Sequence, residues 1–113
     1  MTLRNDLLGN IREFLREANK AKDGKAFNSA VTLLFKAIAV TADLFLLERE
    51  GEIPSNHAER FRILQAKYFE VYKILDKTFP IYQQSYKTKM SKEYVNEIEN
   101  EFKKLIKFTE ISI

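Results

Sequence analysis

The chain has one histidine, His57, and no cysteine. Arg60 follows three residues later, one helical turn away. Two more charges, Lys36 and Asp43, interrupt an otherwise apolar stretch upstream. An imidazole titrates near neutrality, so His57 can serve as an acid or base. Arg60 or Lys36 could then stabilise an anion. The plainer role for His57 is a residue in the first turn of a helix beginning near Asn56.

Taking 100° per residue, Ser29, Thr32, Lys36 and Asp43 fall within about a 60° sector of one helix. A narrow polar stripe on an apolar helix either faces a cleft or partner, or finds mates on neighbouring helices. Lys36 and Asp43 are about 10.5 Å apart along the axis, too far to satisfy each other. An Asp43–Arg60 or Asp43–His57 contact near the Ile53-Pro54 turn is therefore expected, pinning two successive helices or building a functional cluster.

Tyr82 and Tyr86 form an i,i+4 pair in a lysine-rich stretch. Such rings can stack on nucleic-acid bases or close the end of a helical bundle. Residues 60–92 carry Arg60, Arg62, Lys67, Lys73, Lys77, Lys87, Lys89 and Lys92 against Glu70 and Asp76, a local excess of six positive charges. The whole chain is only +3. That bias could attract a polyanion such as RNA, or it could be a solvated lysine surface.

Other chemistry is absent from the sequence. Without cysteine there is no thiol catalysis, disulfide or Cys-type zinc site, and one histidine leaves no multi-histidine metal centre. No phosphate-binding glycine loop, HExxH, GxSxG or calcium-loop pattern occurs. No cofactor is expected. The first residues are interrupted by Asp6 and Arg12, unlike a signal peptide. Residues 30–47 are apolar except Thr32, Lys36, Thr41 and Asp43, and the two charges make this a core helix rather than a membrane span. A cytoplasmic setting fits these features.

The elements that must carry these residues are helical. The 113 residues suit one domain spanning residues 1–113. Leu3, Leu7, Leu8, Ile11, Phe14, Leu15 and Ala18 form a first amphipathic stripe, ending near Gly24. A second helix runs from about residue 25 to 50 and stops at Gly51. Ser55 or Asn56 caps a third, whose stripe Phe61, Leu64, Tyr68, Val71 and Leu75 continues until Pro80. Residues 80–86 read as a short helical turn. Ser91 caps the last helix, with Tyr94, Val95, Ile98, Phe102, Leu105 and Phe108 facing inward. The expected fold is all-α, an antiparallel up-and-down four-helix bundle with a short additional helix before the last long one.

Residues 28–37 (NSAVTLLFKA), the turn 51–57 (GEIPSNH) and the tyrosines Tyr82, Tyr86 and Tyr94 near the last helix resemble the HEPN superfamily of small helical bundles. The resemblance implies a homodimer that cleaves RNA, binds RNA or a nucleotide, or partners a small nucleotidyltransferase. Cleaving members carry Arg, four to six residues, then His. Here the corresponding positions before His57 are Glu50, Gly51 and Glu52, and Arg49 is one place too far. The resemblance therefore implies a non-catalytic binding module using Ser29, Thr32, Lys36, Asp43, His57, Arg60, Tyr82 and Tyr86. A divergent ribonuclease built on His57 with Arg60 or Lys36, and a protein–protein adaptor, are the alternatives.

Overall fold

A computed structural model describes residues 2–113, and all regular structure among them is helical. The helices are α1 (Leu3–Asp23), α2 (Phe27–Glu50), α3 (His57–Lys67), α4 (Phe69–Gln84) and α5 (Lys92–Thr109). The all-α bundle matches the expectation from the sequence, but the chain builds five substantial helices rather than four and a short one.

The helix α2 forms the centre because it is apolar nearly all round. Val31, Leu34, Phe35, Ile38, Ala42, Leu44, Phe45 and Leu46 are all buried. It is long and apolar enough to cross a membrane, yet 72% of its apolar window is buried inside the protein. The helix α1 runs antiparallel to it, with Arg4 at its start paired to Glu48 at the end of α2. Leu7, Leu8, Ile11 and Ala18 supply the inner face of α1.

The route between α2 and α4 departs from simple up-and-down alternation. His57 lies against Phe35, Arg60 binds Asp43, and Lys67 binds Glu50. These pairings rise together along both helices, so α3 descends in the same sense as α2. The connector 51–56 runs back along the bundle, with Pro54 buried. Gly51 begins it at φ 87°, donating its amide to the Leu47 carbonyl, and Asn56 ends it by accepting the Glu59 amide at 2.9 Å.

One continuous third helix was expected through Tyr68; the chain instead reverses there. Tyr68 has φ −135° and ψ 67°, outside helical values. Its ring meets Phe45 edge-on at 5.0 Å and its hydroxyl donates to Glu50. Neither glycine nor proline marks the site. Leu64, Val71 and Leu75 are still buried, but they reach the core from two helices.

The expected stop before Pro80 is also corrected, because α4 passes through it to Gln84. Pro80 lacks an N–H, leaving the Asp76 carbonyl without its helical donor. Both residues are exposed, so water can satisfy that oxygen. Continuing the helix brings Phe79 and Tyr82 onto Phe35, at 5.6 and 4.6 Å between ring centroids.

The link from α4 to α5 is clamped by Asn28. Its Nδ2 donates to the carbonyls of Ser85 and Thr88, both at 2.8 Å, and its Oδ1 accepts the Met90 amide at 3.0 Å. In α5, Val95, Ile98 and Leu105 are buried as expected. Tyr94 and Phe108 are instead 43% and 47% exposed, while Glu101 is buried.

The end of α1 holds a local strain. The amides of Lys25 and Ala26 bond to the carbonyls of Lys22 and Ala21, the paired bonds of a Schellman cap. That cap needs a left-handed residue, and Lys25 fills it at φ 60° while Gly24 sits at φ −84°. The glycine is one place early. Lys25→Gly should therefore stabilise the fold by about 1 kcal/mol, raising the thermal midpoint. Gly24→Ala should cost nothing, because its new Cβ would meet the Lys20 carbonyl oxygen at an ordinary 3.5 Å. Thermal melts of the two variants check this pair of signs.

Candidate functional site

Asp43, Arg60 and His57 form one connected polar group, with the ion pair buried and the imidazole at the surface. Asp43 and Arg60 are each 8% exposed. The guanidinium donates through Nε to Oδ1 at 2.7 Å and through Nη2 to Oδ2 at 2.8 Å. This planar two-bond fork satisfies both carboxylate oxygens. Of the two contacts expected for Asp43, the structure makes the one to Arg60. It does so because α3 lies beside α2, not through an antiparallel hairpin.

The third arm of the guanidinium, Nη1, lies 2.6 Å from Nδ1 of His57. Arginine can only donate, so Nδ1 is the acceptor and the neutral ring carries its proton on Nε2. The outer edge of the ring is open, while its faces approach Phe35 at 6.1 Å and Phe79 at 5.4 Å. Loss of water against these rings lowers the His57 pKa, and the Arg60 charge lowers it further against the opposing pull of Asp43.

Around this group lies a depression of about 250 Å³, bordered by Lys36, His57, Arg60 and Tyr82 with Phe14 and Phe35 in its walls. Four of the residues singled out from sequence thus converge. Lys36 is exposed and makes no ion pair among the described residues. Tyr82 is half-buried and stacked on Phe35, with an interplanar angle of 18°. Tyr86 is 69% exposed and donates its hydroxyl to that of Tyr82. That hydrogen bond, with burial second, raises the Tyr82 pKa.

Ser29 and Thr32 do not join the cluster. With Asn28 they border a separate shallow depression of about 320 Å³ near the start of α2. The Thr32 hydroxyl lies 3.4 Å from that of Ser85, so its polarity helps seat the α4–α5 connector. The stripe of α2 therefore divides into three parts: a seat for the connector, an open cation at Lys36, and a buried lock at Asp43.

The basic run at residues 60–92 is also redistributed. Arg60, Lys67, Lys73 and Lys77 pair with Asp43, Glu50, Glu70 and Glu101. Arg62, Lys87, Lys89 and Lys92 make no such pair among the described residues. Three of the four acids lie outside the run, which is why a local charge count overstated it. Glu101 escaped notice although it occupies the inner line of α5 between Ile98 and Leu105, where an acid is out of place.

Two stability effects follow. Arg60→Ala strands a buried carboxylate and should cost about 3–5 kcal/mol, measurable by urea unfolding. The lowered pKa of His57 means that the folded protein binds fewer protons than the unfolded chain. Its contribution is complete above the ordinary histidine value of about 6.5 and declines as pH falls through it. The urea midpoint should drop between pH 7.5 and 5.5, and His57→Gln should flatten that slope. Carboxylates such as Glu50, held low by hydrogen bonds from Lys67 and Tyr68, lose their contribution only nearer pH 4. Compared with known proteins, this chain matches no family model, no curated protein and no solved structure.

Proposed function

We propose that this protein is a non-catalytic, HEPN-like binding module for a phosphate-bearing ligand, a nucleotide or single-stranded RNA. One observation carries the reading: Lys36, an exposed ammonium without an acidic partner among the described residues, shares a depression with His57 and Tyr82. Lysine is a point-charge ligand for phosphate. Beside it, Tyr86 offers an exposed ring on which a base can stack, worth about 1–3 kcal/mol per base. Lys87 and Lys89 follow directly in the chain and add positive charge. In this reading the module is a homodimer, as the family resemblance implies, in a cytoplasmic setting.

The chemistry of the cluster favours binding over cleavage. A base must accept a proton, but the Nδ1 lone pair of His57 is occupied by Arg60 and its Nε2 already bears hydrogen. The charge of Arg60 is balanced by the two oxygens of Asp43. His57 is therefore not free to act as the base, and Arg60 brings no uncompensated charge to a phosphate.

Fluorescence anisotropy with a labelled oligouridylate tests the proposal. Binding should weaken steeply between 50 and 200 mM salt, as phosphate contacts release counterions. Lys36→Ala and Tyr86→Ala should each raise Kd about tenfold, corresponding to about 1.4 kcal/mol. Both side chains are exposed, so folding should be retained. Affinity indifferent to both substitutions would overturn the reading. A stoichiometric protein partner recovered without RNA would instead favour the adaptor.

A further inference from the structure

A larger trough lies between α4 and α5, built from residues that the first depression does not use. It encloses about 550 Å³, within the range of small-molecule sites. Tyr68 before α4 and Phe108 late in α5 both pack on Phe45, while Lys77 pairs with Glu101 farther along, so the two helices run antiparallel. Ile74 and Phe108 supply apolar surface, and Phe108 is 47% exposed at the end of an amphipathic helix. A half-exposed ring beside four lysines is a surface made for something other than water alone.

The arrangement of charge is more specific than a lysine count. Glu101 is 4% exposed, and one of its oxygens, Oε2, accepts from Lys77 at 3.1 Å and from Lys104 at 2.9 Å. One ammonium comes from each wall. Binding the same atom, they are held close together across the trough. Burial pushes the Glu101 carboxyl upward, but the hydrogen bonds and charges of the two lysines outweigh it and hold its pKa below the usual range. The carboxylate therefore stays charged as an anchor near neutral pH.

Each ammonium has three donors and spends one on Glu101. The Lys77 and Lys104 side chains are 50% and 63% exposed, leaving their other donors open to the trough and solvent. Lys107 makes no ion pair among the described residues, and Lys73 is held only by exposed Glu70. Four lysines border the trough against two glutamates, so its charge is net positive even with both acids ionised.

We propose that this trough is a second ligand site, for a small amphipathic anion whose phosphate or carboxylate head bridges Lys77 and Lys104 and whose apolar body lies on Ile74 and Phe108. An anion between the paired ammonium groups completes a charge balance that Glu101 only half supplies. The apolar body covers the part of the Phe108 ring that the fold leaves exposed. This site uses neither Lys36 nor Tyr86, so it stands or falls apart from the nucleotide-binding reading.

Titration of the isotope-labelled protein, followed by amide and methyl NMR, tests the assignment with three probes: inorganic phosphate, 1-naphthyl phosphate and octyl phosphate. At least one organic phosphate should bind ten or more times tighter than inorganic phosphate and shift the resonances of Ile74, Glu101 and Phe108. The tighter of the two identifies an aromatic or an alkyl body. Lys77→Gln/Glu101→Gln/Lys104→Gln removes both head-binding cations together with the carboxylate they neutralise, and should weaken that probe at least tenfold. Phe108→Ala should weaken the organic probe while leaving inorganic phosphate unchanged. Equal affinity for all three probes would overturn the proposal, as would shifts confined to Lys36 and Tyr86 or no shift at millimolar probe.

Discussion

A carboxylate in the middle of the most apolar helix is the constraint around which this bundle is arranged. Asp43 cannot remain ionised in the core without a partner, because an uncompensated buried charge costs several kcal/mol. A side chain presenting donors to both of its oxygens satisfies it fully, and Arg60 does so through Nε and Nη2. Bringing Arg60 level with Asp43 lays α3 alongside α2. The connector must then run back along the bundle, and the chain must reverse again at Tyr68 before α4 can return. That return places Phe79 and Tyr82 against Phe35 and beside His57. The depression around Lys36 is thus a consequence of how one buried acid is satisfied.

Much of this was legible from residue type and spacing, and what was hidden shares a cause. Helix ends written in local chemistry could be read: Gly51 in its left-handed turn and Asn56 as a side-chain cap. The Asp43–Arg60 pair could also be anticipated, because a charge in an apolar run needs a mate. The reversal at Tyr68 could not, since nothing in its neighbours breaks a helix. The break is held by tertiary contacts to Phe45 and Glu50. Pro80 misled in the opposite direction. Packing of Phe79 and Tyr82 outweighs one lost hydrogen bond on a wet face, and local rules cannot price that exchange. Tyr94 and Phe108 sit at the margins of an apolar stripe, where spacing alone does not separate core from rim.

The charge pattern shows the same limit. A run of basic residues reads as one surface only if its counter-ions lie within the run. Here Glu50 belongs to α2, Asp43 to the interior of the same helix, and Glu101 to α5. Each acid is brought to its partner by the fold. Most ion pairs on the surface contribute little to stability, but they change what a passing anion encounters. Of the cations without an ion pair among the described residues, Lys36, Arg62, Lys87, Lys89, Lys92 and Lys107 are divided among α2, α3, the α4–α5 connector and α5.

The two buried carboxylates show how one motif can serve opposite ends. Asp43 is satisfied by a rigid, planar fork whose remaining arm is taken by His57. Few donors of the Asp43–Arg60 pair itself are left over. Glu101 is satisfied by two flexible lysines that converge on a single oxygen and keep most of their donors exposed. Arginine locks because its geometry is fixed; lysine leaves room because its charge is a point with rotatable donors. The difference turns on the cation chosen rather than on the acid. It explains why the pair in α2 and α3 acts as a strut, while the pair between α4 and α5 has the chemistry of a site.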